Sequence, residues 1–423
     1  MGRTVFTWAR AAGLLLVVSI SLAVPATAGA TSNQKSSKPK VVGAFYTETN
    51  GNPNKLLVFD RYSDGTLKQG QTVSTGGQGG HQGQPLNVMA PPPICTGNGQ
   101  GCPALDSQDA IALTSNGKFL FAVNAGSNTV SSFKVTKHGV ALVNQVGSGG
   151  MFPNSLSVHG NLVYVLDSNS LNIQGLTFSS GGVLSTISGG SQPLSPGGTI
   201  PGAPRDISFD NTGKWLVVTK LANPMTPTPV GTIDTFPVNA NGTAGAAVAS
   251  DSFTPAPFSV GFDSGDHPII TTVGNPFAFQ PGALESYSIG PTGSLTHIAS
   301  GSTVGFAPCW DVESSNRKYG YIVNADILGP SAPSVSTFKL AGDGHFTFLG
   351  HTPRMGDEPL QTDIALSSDG KYMYVVSPID DRAFAGVNIS HIDVYKIGSN
   401  HQPTLIQQTP FKNAQGLTGA AAS

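Results

Sequence analysis

The sequence predicts an all-β protein: a seven-bladed β-propeller of four-stranded antiparallel blades, closed by N- and C-terminal strands that share one blade. Three observations point there. One short strand recurs seven times, anchored at Ile111, Leu156, Ile207, Val260, Val312, Ile364 and Leu417, at steps of 45, 51, 53, 52, 52 and 53 residues. Four of the anchors, Ile111, Leu156, Ile207 and Ile364, open a fuller strand–turn–strand phrase, and one such unit every 40–50 or so residues is the spacing of a propeller blade. The last anchor, Leu417, stands six residues from the C-terminus with no room for a hairpin, whereas residues 41–46, 56–60 and 66–73 supply strands that no anchor precedes.

Taken in order, each element follows from its residues. The hairpin turns hold Asn116-Gly117, Gly160-Asn161, Thr212-Gly213 and Asp369-Gly370, residue types that tolerate positive φ, between β-branched and aromatic runs. A third strand follows each hairpin, as in TVSSFKV from Thr129, SVSTFKL from Ser334 and HIDVYKI from His391, and then a weaker fourth. The simplest closure gives one blade residues near 414–420 as its innermost strand and residues near 41–75 as the other three. That closure leaves no open sheet edge in the ring and ties the chain ends together.

Composition agrees with an all-β reading. Gly and Pro number 53 and 31 of 423 residues, short of the roughly 25–30% that signals disorder. A blade cannot bury both faces without neighbours, so the unbroken repeat argues for one domain where length alone suggests two or three. The formal charge of −2, with no cluster of Lys and Arg, argues against a nucleic-acid or membrane-surface partner.

The N-terminus reads as a secretory signal: Arg3 and Arg10, an apolar run over residues 11–24, and Ala26-Thr27-Ala28 as a cleavage site, with Ala28-Gly29-Ala30 as a second. At 14 residues the run is short for a membrane span. The expected division is therefore a signal peptide over 1–28, a disordered linker over 29–40 and the propeller over 41–423, in a secreted or periplasmic protein. Cys95 and Cys102 are the natural disulfide pair, and Cys309 reads as a buried thiol. Asn241-Gly242-Thr243 and Asn388-Ile389-Ser390 fit the glycosylation triplet.

In such a ring the start of each inner strand and the end of each second strand share one face. There fall Asp109, Asn154, Arg205, Trp310 and Thr362 before the anchors, and Asn124, Asp167, Lys220, Asn324 and Ser377 at the second-strand ends. These outline a hydrophilic channel mouth, the default ligand site. The same face receives the long insertions over 74–107, 221–231, 274–282, 325–333 and 378–388, which carry His81, Phe277, Phe279, Asp326, Phe384 and Arg382. Asn124, Asp167, Lys220, Asn324, Asp326 and Arg382 are the ligand-binding candidates. The catalytic candidates are Arg205, suited to paired hydrogen bonds with a carboxylate or phosphate, Asp206 or Asp109 as a base, and His81. Structural roles stay open for each: Arg205 in an ion pair with Asp206 or a neighbouring carboxylate, His81 as a solvated loop residue.

The phrase with its Asp-Gly-Lys turn and Tyr-Val-Val ending, at Ser367 to Ser377 and in a looser form at Ser115 to Asn124, resembles the lactonase family of seven-bladed propellers, also described as 6-phosphogluconolactonase-like or carboxymuconate-cyclase-like. The resemblance covers about residues 41–423 and implies lactone hydrolysis or cyclase-type isomerisation. Active members share a Gly-Pro-Arg-His phrase followed one hairpin later by Val-Val-Asn-Glu. Here the counterparts are Ala203-Pro204-Arg205-Asp206 and Val218-Thr219-Lys220-Leu221, so the arginine matches while the histidine and the acid are replaced.

Other chemistries lack their motifs. No His pair has the spacing of a zinc helix, no Gly-x-Ser-x-Gly elbow is present, and no Cys-x-x-Cys-His attaches a haem. No metal or cofactor is expected. Two readings follow: an exported enzyme acting on a small anionic or cyclic-ester substrate at the channel mouth, or a non-catalytic extracellular propeller binding a glycan or protein partner. Either is expected to be a monomer.

Overall fold

A computed structural model describes residues 38–80, 105, 107–137, 139–196, 204–221, 231–273, 282–325, 333–354, 361–377, 389–412 and 417–423. Its strands form seven four-stranded antiparallel sheets. Blade 1 joins Val41–Glu48, Lys55–Tyr62 and Leu67–Ser74 to the C-terminal strand Thr418–Ala422, which is innermost. Blades 2 to 7 run outward in chain order from inner strands Ile111–Leu113, Pro153–His159, Pro204–Phe209, Pro257–Phe262, Pro308–Glu313 and Thr362–Leu366. Each inner strand touches the next, and Thr418–Ala422 sits between the first and last of these six, so the ring closes at seven.

Closure is hydrogen-bonded in detail. Phe45, Tyr46 and Glu48 pair with Ala422, Ala421 and Thr418. The Ser423 amide donates to the Ala44 carbonyl at 2.9 Å, and Arg61 Nε donates to the Ser423 carbonyl at 2.7 Å. The innermost strand begins a few residues later than the sequence places it. Leu417 is fully buried as a plug before the strand, and the small residues Thr-Gly-Ala-Ala-Ala fit the crowded axis.

Successive side chains of a strand point to opposite faces, so in a blade they serve two different interfaces. Phe45, Leu57 and Phe59 pack against Tyr374, Val376 and Ile392 of blade 7, while Tyr46, Leu56 and Val58 pack against Ile111, Leu120 and Phe133 of blade 2. Both faces are apolar and buried, which is why runs such as FLFAVN and YMYVVS are buried throughout instead of alternating. Apolar clusters of this kind, drawn from neighbouring blades, recur around the ring.

The hairpin turns are as the sequence predicts, with Gly117, Gly213 and Gly370 at φ of 67°, 70° and 66°. Blade 6 departs from the pattern. Arg317 takes the corresponding position at φ 54°, in a left-handed conformation that costs a non-glycine residue about 1–2 kcal/mol.

Candidate active site in the central channel

On the loop face, the second-strand ends are pins between blades. Asn124 donates Nδ2 to Ser131 Oγ at 2.8 Å, and Ser131 Oγ donates to the Thr75 carbonyl of blade 1 at 2.6 Å. Asn324 repeats the device in blade 6, donating to Ser336 Oγ at 2.8 Å, with Ser336 Oγ donating to the Thr303 carbonyl of blade 5. Glycines on the preceding blade's outgoing segment cover these side chains: a Cβ on Gly77, Gly150 or Gly305 would collide with Asn124, Asp167 or Asn324. Lys220 is fully buried, with Nζ 2.8 Å from Asp234 Oδ2. The mouth residues Asn124, Asp167, Lys220, Asn324 and Ser377 are therefore shielded from solvent, not presented to it. Burial pushes the Asp167 carboxyl up to about 7, against hydrogen bonds from Ser148 and Asn172.

The segment leading into blade 2 then crosses the channel. Ser107 Oγ donates to the Asn154 carbonyl of blade 3 at 2.7 Å, and the Gln108 amide donates to the Arg205 carbonyl of blade 4 at 3.2 Å. On the far side, Trp310 Nε1 donates to the Ser107 carbonyl at 2.8 Å. Gln108 also exchanges side-chain hydrogen bonds with Asp311 of blade 6: Nε2 donates to Oδ1 at 3.0 Å, and Oε1 accepts from the Asp311 amide at 2.9 Å. Asp109, which follows, adopts φ 56°.

Below this crossing lies a cavity of about 360 Å³. Gln108, Asp109 and Asp311 line it, and it continues past Ser208, Gly261 and Glu313 to the hairpin residues Ser315, Arg317, Ser367 and Ser368. It therefore reaches the hairpin face, the end of the channel opposite the loops.

The channel is acidic. Asp206, Asp311 and Asp363 occupy the same place in blades 4, 6 and 7, directly before the anchor residue. Asp206 accepts from Ser155 Oγ at 3.0 Å and from the Val260 amide at 2.8 Å, bridging three blades, and burial pushes it up to about 8. Asp363 accepts from the Gly419 amide at 2.6 Å and Thr418 Oγ1 at 3.2 Å, latching the closing strand, and burial pushes it up to about 7. Asp109 is raised further by burial and by the charges of Asp206, Asp363 and Asp311.

Asp311 differs. Its carboxyl and that of Glu313, two residues on along the same strand, both line the cavity. Among the described residues Asp311 Oδ2 and Glu313 Oε1 have no hydrogen-bond partner, an arrangement that favours a proton held between the two acids. Burial raises both. The Asp311 charge raises Glu313 further, while hydrogen bonds from Glu313, Ser259 and Gln108 favour the charged form of Asp311. A Cβ on Gly261 would strike the Glu313 carboxyl, so the pair also depends on a glycine in the neighbouring blade.

Of the residues expected from sequence, Asp109 lines the cavity and Asp206 lies above it in structural hydrogen bonds. Arg205 is buried, with Nη1 3.5 Å from the Pro204 carbonyl. Leu221, at the family's acid position, is buried in an apolar cluster. His81, Asp326, Arg382, Cys95 and Cys102 lie outside the described residues, as do Phe277, Phe279 and Phe384. Cys309 is buried. Among the described residues no group of three or more His, Cys, Asp or Glu is placed to hold a metal ion, and no helix is long and apolar enough to cross a membrane.

Sequence reasoning missed Asp311, Glu313 and Arg317. The signal for Arg317 was a departure from the repeat: SSNRKYGYIV in blade 6 puts Arg where SSDGKYMYVV in blade 7 has Gly.

The family model for the lactonase 7-bladed β-propeller matches residues 46–192, which span blades 1 to 3. No curated protein matches the sequence. Among solved structures, the chain is similar to a Bacteroides uniformis protein provisionally assigned as a 6-phosphogluconolactonase, with 15% identity and a TM-score of 0.62 over 91% of this chain and 100% of that one. It is similar also to the periplasmic gluconolactonase PpgL of Pseudomonas aeruginosa, with 16% identity and a TM-score of 0.57 over 89% of this chain and 98% of that one. A hypothetical selenium-binding protein of Sulfolobus tokodaii gives 10% identity and a TM-score of 0.61 over 92% of this chain and 94% of that one. Likeness at these identities is one of fold, shared by proteins with unrelated names. The closed ring makes this chain a seven-bladed β-propeller, and the lactonase pattern matches it through the first three blades.

Proposed function

We propose that the propeller hydrolyses a cyclic ester in its central cavity, with Asp311 as general base and Glu313 as general acid. One observation carries the reading: two neighbouring carboxyl groups, each with an oxygen left without a partner among the described residues, in a cavity large enough for a small ring. Asp311 takes a proton from water as its oxygen attacks the acyl carbon. The acyl–oxygen bond of the ring breaks, and Glu313 protonates the leaving alkoxide. The proton gained by Asp311 then passes to Glu313, which restores the pair. The family match and the likeness to a gluconolactonase support the substrate class. Purified protein is to be assayed on a panel of γ- and δ-lactones beside Asp311→Asn and Glu313→Gln. Rates that both substitutions leave unchanged would remove the proposed roles.

A non-catalytic propeller that binds a glycan or protein is favoured by a different observation: the family's functional positions, here Asp206, Lys220 and Leu221, are used up in packing and inter-blade bonds. A panel with no turnover would favour that reading. Export is supported by the signal-like residues 1–28, and N-terminal sequencing of protein recovered from outside the cytoplasm tests it.

A further inference from the structure

The cavity that holds the carboxyl pair has an unusual charge inventory for a site in a phosphosugar-like propeller. Asp109, Asp311 and Glu313 line it, and Asp311, 3% exposed, has an oxygen that takes no donor among the described residues. Among the described residues Arg317 is the cavity's cation, and it is already compensated. Its charge acts on Glu313 on one side and on Asp266 of blade 5 on the other, and its Nη1 donates to the Phe262 carbonyl at 3.3 Å. Of the three cations the sequence offered, Lys220 is bound to Asp234, Arg205 is not among the residues lining the cavity, and Arg382 lies outside the described residues.

We infer, resting on the cyclic-ester reading, that the cavity takes an uncharged, hydroxyl-bearing ring and rejects the same ring carrying a phosphate or carboxylate. Carboxyl groups that share protons both donate and accept, which matches hydroxyls, whose oxygens do the same. Ser208, Ser315, Ser367 and Ser368 add hydroxyl partners along the wall. An anion would leave water for a pocket lined by three acids that offers, among the described residues, no second cation beside Arg317. Such a mismatch is costly in a low-dielectric site.

The test is calorimetric binding to the full chain of D-glucono-1,5-lactam, which cannot be hydrolysed as an ester, and of its 6-phosphate. The neutral lactam is expected to bind at least tenfold more tightly, and Glu313→Gln with Asp311→Asn is expected to narrow that ratio to less than threefold by removing the pair's charge. Equal or tighter binding of the phosphate by the unaltered protein, or binding of neither compound, overturns the inference, and neither result depends on a variant folding. Turnover separates it from the hydrolase reading. Neutral lactam binding without hydrolysis of any lactone defeats that reading alone, whereas hydrolysis confined to phosphorylated lactones defeats this inference alone.

Discussion

Asp206, Asp311 and Asp363 stand at one position of the repeat, and blade 6 uses it differently from blades 4 and 7. In blades 4 and 7 the carboxylate accepts from the next blade: Val260 N–H for Asp206, Gly419 N–H and Thr418 Oγ1 for Asp363. In blade 6 the carboxyl meets another acid, Glu313, and a glutamine reaching across the channel, Gln108. The same residue in the same backbone setting is a rivet in two blades and a proton-sharing group in the third. What changes is the donor supply around it, which decides whether a buried carboxyl is satisfied or poised.

The largest effects should fall on blade 6. Glu313→Gln and Asp311→Asn are each expected to lower kcat/KM on a hydrolysed lactone by roughly 10²–10⁴-fold, the usual contribution of a positioned acid or base. Steady-state kinetics on both variants decide it, and a loss under tenfold would place the chemistry elsewhere. Asp363→Ala should act on stability instead. It strands the Gly419 amide and the Thr418 hydroxyl at the closing strand, so urea denaturation should show a loss of about 2–4 kcal/mol. A change within 0.5 kcal/mol or so would mean that the latch does not hold the ring.

The contrast also has a pH signature. Asp206 and Asp363 have folded-state values of about 8 and about 7, above the ordinary 3.8, so the folded chain keeps protons that the unfolded chain releases. Their contribution is fully present below pH 3.8 or so and is lost as pH rises through about 7 to 8. Tm should therefore fall between pH 5 and pH 8, and Asp206→Asn should flatten part of the fall. A Tm that rises over that range would contradict the protonated state of these acids.

How much of this could be read from sequence follows from the same comparison. The blade count, the hairpins and the shared closing blade were legible because they rest on period and turn chemistry: anchors about 52 apart, and Gly117, Gly213 and Gly370 at positive φ. The site was legible only in part. Reading one residue too early in the inner strand selected Trp310 and Thr362, whereas the acids lie at Asp311 and Asp363; of the three acids at this position of the repeat, Asp206 alone was already a candidate. In a strand, one residue exchanges one face for the other. Burial of Asn124 and Asn324 could not be read because glycines of another blade cover them, across 47 residues of sequence from Gly77 and 19 from Gly305. The proton-sharing pair needed the crossing by Gln108, a contact spanning 203 residues that no local pattern encodes.

The finest separation comes at Arg317. The residue holds φ 54° where three other blades use glycine, so Arg317→Gly should relieve backbone strain and raise stability by about 0.5–1 kcal/mol, less the lost bond to the Phe262 carbonyl. The same change removes the one positive charge that lowers Glu313, so the acid should hold its proton to higher pH. The alkaline limb of the kcat profile is then expected to move up, while the neutral-ring preference persists because the arginine was already compensated. A stabilised variant with an unshifted limb would make Arg317 an accident of the turn. A destabilised one would show that the strained conformation is held by contacts worth more than the strain, and that blade 6 differs from blade 7 for packing and not for chemistry.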